Sequence, residues 1–237
     1  MKLPSHFEWI IYAVLGGIGL YVTYPYLRRL VRFKPYNVGE IDWNKPEVRK
    51  LATGCHMNAQ CYLRWDTLRS GDSPRFDGLR SWWGIRDRGS AIEVLNWLRD
   101  EGHRADWQDT VLHHAQYVGE DVDETLAHAE KFLLKHGLIK SRADFQAGVS
   151  AWDWGRLVTL SRWCYDRKYI TEAEAWQYIN HATQQSRAGF SSWETYSQSY
   201  MIGQFLWNPD PSENEPMVTF VKDLLKSEKS PLKRIRW

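Results

Sequence analysis

The sequence predicts an all-α protein: an irregular multi-helix cytoplasmic domain of about seven to nine helices, preceded by one transmembrane helix. Three observations carry that expectation. Residues 9–27 (WIIYAVLGGIGLYVTYPYL) contain no charged side chain. Thr171 with Glu174, and Ser191 with Glu194, repeat the spacing of a capping box, in which each side chain satisfies the other residue's free backbone N–H. No alternation of strand length competes with the three- and four-residue apolar spacing along the chain.

The bulk composition sets outer bounds. With 237 residues, 43% hydrophobic and 25% charged, the chain is long enough to bury a core. A net charge of +2 is too small to argue for nucleic acid as a partner. Cys55, Cys61 and Cys164 are an odd, sparse set that reads as free thiols in a reducing compartment. Fourteen Trp, twelve Tyr and eight Phe supply large contact areas that suit cores and interfaces alike.

The chain divides into a short non-cytoplasmic N-terminus (1–8), the span (9–27), a basic connector (28–43), a helical domain (44–207) and a C-terminal helix with a basic tail (208–237). At about 1.5 Å per residue the apolar stretch matches a bilayer's hydrocarbon core, and Trp9, Tyr24 and Tyr26 sit near its ends. Arg28, Arg29, Arg32 and Lys34 follow at once while only Lys2 precedes, so the positive-inside rule places the domain in the cytoplasm, at a bacterial inner membrane. A cleaved signal peptide is the competing reading, but it wants positive charge before the apolar run and a small-residue cleavage site after it. Ala13 and Gly17 form a small-xxx-small pair through which two spans can approach, which leaves a homodimer open.

Asn44 and Pro46 have the residue types of a helix start, and apolar residues from Val48 through Trp65 to Leu68 predict one helix to about Ser70. Residues 70–77 (SGDSPRFD) read as a loop. Trp82, Trp83 and Ile85 make an aromatic knot before Asp87, which caps a helix closed by Gly102. Helices follow over 105–117 and 122–136, with Gly137 as a terminator. Three more come next: one carrying Trp152, Leu157, Leu160, Trp163 and Cys164, and two opened by the capping boxes. Residues 208–214 (NPDPSEN) break the pattern, and Pro216 opens a last helix to about Lys226. Lys229, Lys233, Arg234 and Arg236 then form a tail that suits either an anionic leaflet or a solvated, frayed end.

Two stretches carry a family resemblance. One is Ser81 to Arg104 (SWWGIRDRGSAIEVLNWLRDEGHR), with its opening Trp-Gly-Ile and closing Gly-His-Arg. The other holds Trp152-Asp153 with Arg156, Arg162-Trp163, Tyr169-Ile170, Glu174-Ala175-Trp176, Ser192-Trp193-Glu194, and Gly203 with Trp207. Together they resemble a bacterial family catalogued as domain of unknown function 1266, over about residues 52–207. The resemblance implies that both stretches belong to one domain, and it implies no activity.

Asp153 and Arg156 are three apart on one helix, close enough to pair. With Glu174 and Glu194 they make the best polar constellation in the chain, fit either to bind a ligand or do acid/base work, or to fix how three helices meet. Trp152, Trp163, Trp176, Trp193 and Trp207 are its aromatic counterpart, as surface or core. Cys55-His56 with Cys61 lacks the spacing of a structural zinc site, so no metal or other cofactor is expected. Cys164 with His113, His114 or His181 leaves a thiol nucleophile open, against the reading of a small buried hydrophobe. No glycine-rich phosphate loop, nucleophile elbow or H-E-x-x-H occurs. The leading expectation is a non-enzymatic, membrane-tethered interaction domain that meets a protein partner, one version being an immunity or accessory protein. The alternative is an enzyme or small-ligand sensor built on Asp153, Arg156 and Glu174.

Overall fold

The computed structural model describes residues 41–60, 64–70, 78–116 and 123–237. The apolar stretch 9–27, its basic flank and the Ala13/Gly17 pair lie outside them, as do Cys61 and most of the 70–77 loop. Among the described residues every regular element is helical, and no helix is long and apolar enough to cross a membrane. Helix α1 (Pro46–Leu51) runs through a 3-10 turn (Ala52–Gly54) into α2 (Cys55–Gln60). Then come α3 (Gly78–Trp83), α4 (Arg88–Asp100), α5 (Arg104–Gln116), α6 (Glu124–Lys135) and a 3-10 segment (Arg142–Ala147). The chain continues with α7 (Ser150–Asp166), α8 (Glu172–Gly189), α9 (Trp193–Trp207), α10 (Pro211–Lys226) and a final turn, α11 (Pro231–Arg234). With Pro46–Gln60 taken as one run and the final turn set aside, the described residues hold nine helices.

Side-chain caps decide most of the helix starts. Asp87 accepts from the Ser90 amide at 2.9 Å and opens α4. Thr171 and Glu174 form the expected box at α8, the carboxylate accepting from the Thr171 N–H at 2.8 Å. At α9 the box lies one residue further on: Ser192 caps and Thr195 closes it, and Glu194 is exposed. A threonine hydroxyl reaches the cap's N–H as a glutamate carboxylate would, so the expected register was off by one. Asp210 caps α10, which therefore begins at Pro211 and carries Pro216 inside it instead of starting there.

The expected helix over 44–70 is shorter than its periodicity suggested. Lys45, with no side-chain cap bond, takes the N-cap position in place of Asn44. The run ends by Gln60, and residues 64–70 are not helical. The 3-10 turn sits where Gly54 touches α7, since a Cβ there would lie 2.8 Å from Val158 Cγ1. Trp65 is buried at 2% exposure, but from the non-helical segment, where it stacks on Trp43 at 5.6 Å.

Helix α7 is the hub. Residues 151–164 are buried without a break, so the helix has no solvent face and must be enclosed on all sides. Helices α8, α9 and α4 pack against it, along with the 3-10 turn at 52–54. Gly203 on α9 sits directly under Trp152 of α7, where any Cβ would overlap the tryptophan's own Cβ. The basic tail is folded back instead of frayed. Ile235 is buried, and Trp193 and Trp237 meet edge-on at 4.6 Å, with their Nε1–H groups donating to the Ile235 and Phe190 carbonyls at 2.7 Å each. The Arg187 guanidinium stands 4.4 Å from the centre of the Trp237 ring, which draws the end of the chain onto α8. The Trp82–Ile85 knot is also only partly internal: Ile85 is buried, whereas Trp82 is 59% exposed.

Candidate functional site

The buried polar centre forms where the start of α7 meets the turn between α4 and α5. Gly102 in that turn has φ +63, a left-handed conformation that suits glycine. A Cβ there would overlap the Asp153 carboxylate. The close approach lets Asp153 Oδ2 accept from the Arg104 backbone N–H at 2.8 Å and Oδ1 from the His103 N–H at 3.2 Å. Asp153 thus caps the N-terminus of α5 from another helix. The same carboxylate pairs with two guanidiniums: Arg156 Nη2, and Arg104 Nη1 at 3.3 Å. Arg104 also donates to the Leu98 and Arg99 carbonyls, tying off the end of α4, and lies 4.0 Å from the Trp154 ring centre.

Arg156 is the deepest cation of the group. Its side chain is 2% exposed, with Trp152 and Trp83 at 4.3 Å and 5.2 Å from the guanidinium carbon. Nε donates to the Trp152 carbonyl at 3.0 Å, and Nη2 to His103 Nδ1 at 2.8 Å as well as to Asp153. A guanidinium only donates, so His103 Nδ1 is unprotonated and the ring proton sits on Nε2. Burial, helped by Arg156, pushes the His103 pKa down to about 4. Burial also lowers Arg156 to about 10, against the pull of Asp153, and leaves it charged at neutral pH.

Asp153 and Arg156 are brought together; Glu174 and Glu194 are not brought to them. Glu174 pairs with Arg88 at 2.6 Å on a partly exposed surface. Hydrogen bonds from Arg88 and from the Thr171 cap hold its pKa down to about 2. The five tryptophans divide as well. Trp163 and Trp193 are core, and Trp176 is half-buried with its Nε1–H directed at Glu172. Trp152 roofs Arg156, and Trp207, 55% exposed, lies 5.9 Å from Trp152 at the surface. His103 and Arg104, which the sequence does not single out, complete the site together with Trp83 of the aromatic knot. Their signal was the Trp-Gly-Ile and Gly-His-Arg ends of the first stretch, which the fold places against Trp152-Asp153 and Arg156.

The thiols are elsewhere. Cys55 and Cys164 are both buried and unbridged. Burial pushes Cys55 far up and Cys164 to about 12. His56, whose Nδ1 lies 3.6 Å from the Cys55 sulfur, is pushed by burial to about 3 and bonds Ser197 at 2.8 Å. Of the histidines weighed as partners for Cys164, His114 pairs with Glu130 at 3.0 Å and His181 meets the Trp154 ring edge-on. Among the described residues no group of three His, Cys, Asp or Glu side chains could hold a metal ion. A separate cavity of about 420 Å³ opens between α5 and α6, with Trp107, Val111, Leu126 and Leu206 in its walls beside Asp106 and Asp123.

The sequence pattern described as protein of unknown function (DUF1266) matches residues 78–237, and so covers the whole of this site. The chain belongs to the DUF1266 family. The match starts later than the resemblance suggested and runs to Trp237, taking in the docked tail. Two Escherichia coli (strain K12) relatives are named as uncharacterized proteins. YbeU is 24% identical over 67% of this chain and 68% of its own length. YbeR is 23% identical over 71% of this chain and 73% of its own length. No solved structure matches.

Proposed function

We propose that this DUF1266 protein is a membrane-tethered recognition domain whose binding site is the indole-walled guanidinium of Arg156. The observation that carries the reading is a convergence. Separated elements of the family likeness, namely Trp83, the 102–104 turn, Trp152-Asp153, Arg156, Gly203 and Trp207, meet at one place. Holding three helices together does not by itself require an exposed tryptophan beside that cluster. Recognition is favoured over chemistry because the groups suited to attack or proton transfer are held off. Burial keeps both described thiols protonated, His103 is a weak base already engaged by Arg156, and Glu174 is tied to Arg88. The tether rests on the charge-free stretch 9–27 and the four cations that follow it, which favour a bacterial inner membrane with the domain on the cytoplasmic side.

Trp207 favours a protein partner, since a large exposed indole beside a polar centre is the kind of group that anchors interfaces. An immunity or accessory protein guarding the membrane is one concrete form. The depth of Arg156 favours a second reading, a small-ligand sensor, because a guanidinium at 2% exposure is reached only by something small. The test is a mild-detergent pull-down of the full chain from its native membranes beside Trp207→Ala. A stoichiometric partner that the variant loses is the expected result. Identical captures from both proteins, together with an unchanged phenotype on deleting the gene beside an intact neighbour, would defeat the proposal.

A further inference from the structure

The cluster at Arg156 holds one more positive than negative charge. Asp153 is the one carboxylate in contact with two guanidiniums, Arg104 and Arg156, and His103 contributes none because burial keeps it neutral. Asp106 and Asp100 act on the group only from a distance; both are exposed, and Asp100 has its two oxygens on Arg99. An unmatched charge removed from water is costly unless something pairs with it. Trp152 and Trp83 supply part of the compensation through their ring faces, but an indole offers no acceptor to a guanidinium N–H.

One edge of the guanidinium is unused. The hydrogen bonds of Arg156 run through Nε and Nη2; Nη1 has no acceptor among the described residues and, unlike Nη1 of Arg162, is not sealed from solvent, so the small exposed part of the side chain includes this edge. Beside it, His103 Nε2–H also lacks an acceptor, its Nδ1 being the atom bonded to Arg156. The solvent-reaching edge can therefore take a single in-plane acceptor bearing one negative charge, and the half-buried Trp83 beside the guanidinium offers indole surface to an apolar group attached to that acceptor. We propose that Arg156, with His103, Trp83 and Trp152 around it, binds a small monocarboxylate carried on an apolar, preferably aromatic, body. One negative charge balances the cluster, whereas a doubly charged phosphate would overshoot it. The acid-rimmed cavity at Asp106 and Asp123 is the wrong place for the same ligand.

This inference rests on the recognition reading and names the chemistry that its site accepts. The test uses the full-length chain in detergent micelles, with tryptophan fluorescence and thermal shift as readouts and phenylacetate as the probe. Phenylacetamide removes the charge and acetate removes the body. Phenylacetate is expected to bind saturably and raise the melting temperature, with both controls weaker by roughly tenfold or more. Removing Arg156 risks the fold, so Trp83→Ala and His103→Gln are the working variants. Each is expected to weaken phenylacetate by about tenfold while the melting temperature of the free protein stays near that of the wild type. Equal binding of phenylacetamide or of acetate, unchanged affinity in both variants, or no saturation up to roughly 10 mM would overturn the carboxylate assignment. If those results came with a partner still captured through Trp207, the recognition reading would stand and only the ligand chemistry would fall.

Discussion

Helix α7 buries two arginines, and they sit in opposite electrostatic surroundings. Arg162, fully buried, bonds only backbone carbonyls: Thr67 at 3.0 Å, Leu68 at 3.3 Å and Arg64. Its Nη1 has neither a hydrogen-bond partner nor solvent. Asp166, one turn on, acts on it from a distance and spends its own Oδ2 on the Ser70 amide and hydroxyl at 2.8 and 2.5 Å. Arg162 and Asp166 are thus a backbone clamp, two side chains that hold segment 64–70 where no helix holds it. Arg156 has a carboxylate in contact, a histidine on one nitrogen and an edge left over. Burial lowers both guanidiniums to about 10, so depth alone does not separate clamp from site. What separates them is where the unpaired edge faces: Arg162 Nη1 is sealed inside the protein, whereas Arg156 Nη1 reaches solvent.

The sharpest way to break this comparison is at Asp153. Asp153→Asn strands the buried guanidinium of Arg156 and the partly buried one of Arg104, and should cost about 3–5 kcal/mol in urea denaturation. A loss below about 1 kcal/mol would show the cluster to be well solvated and the contrast with Arg162 empty. Arg162→Met comes next. It leaves carbonyls without donors and should cost about 2 kcal/mol, with cleavage by a dilute protease concentrated in 64–70 and phenylacetate binding untouched. Gly102→Ala combines the strain of φ +63 with an overlap against Asp153, for about 1–2 kcal/mol. The clamped segment 64–70 holds no glycine, so the same measurement sets the site's close packing apart.

The smallest effect is a pH slope. His103 titrates at about 4 in the fold against 6.5 when exposed, so protons favour the unfolded chain. Its contribution to stability is complete above pH 6.5 and is lost as the pH falls from there toward 4. His56, lowered to about 3, adds to the slope over the same window. Melting temperatures of His103→Gln against wild type between pH 7 and 4 isolate the part that belongs to the site, and parallel curves would remove His103 from it.

The sequence announced the helices well wherever a local device ends them. Asp87, Thr171 with Glu174, Gly102 and Gly137 each act within one turn, so spacing alone finds them. It misled where the decisive partner is remote. The 44–70 periodicity says nothing of Val158 pressing on Gly54 or of Arg162 drawing 64–70 out of helical form. Within the site, the Asp153–Arg156 pair was legible because it lies on one helix face. Arg104 and His103 were not, since they approach from 49 and 50 residues away. Glu174 and Glu194 drew attention by charge, but one serves a cap and a surface pair and the other faces solvent.

The 3-10 turn has a consequence in time. Tyr196 on α9 donates to the Thr53 carbonyl at 2.8 Å across 143 residues of sequence. At a synthesis rate of about 5–20 residues per second, the turn therefore waits roughly 7–30 s after leaving the ribosome for the side chain that secures it. For that interval His56, which bonds Ser197 and stacks on Tyr200 in the finished protein, also lacks its partners on α9. A nascent chain stalled short of Tyr196 should hold a chaperone over residues 46–60, and one extended past Trp207 should release it.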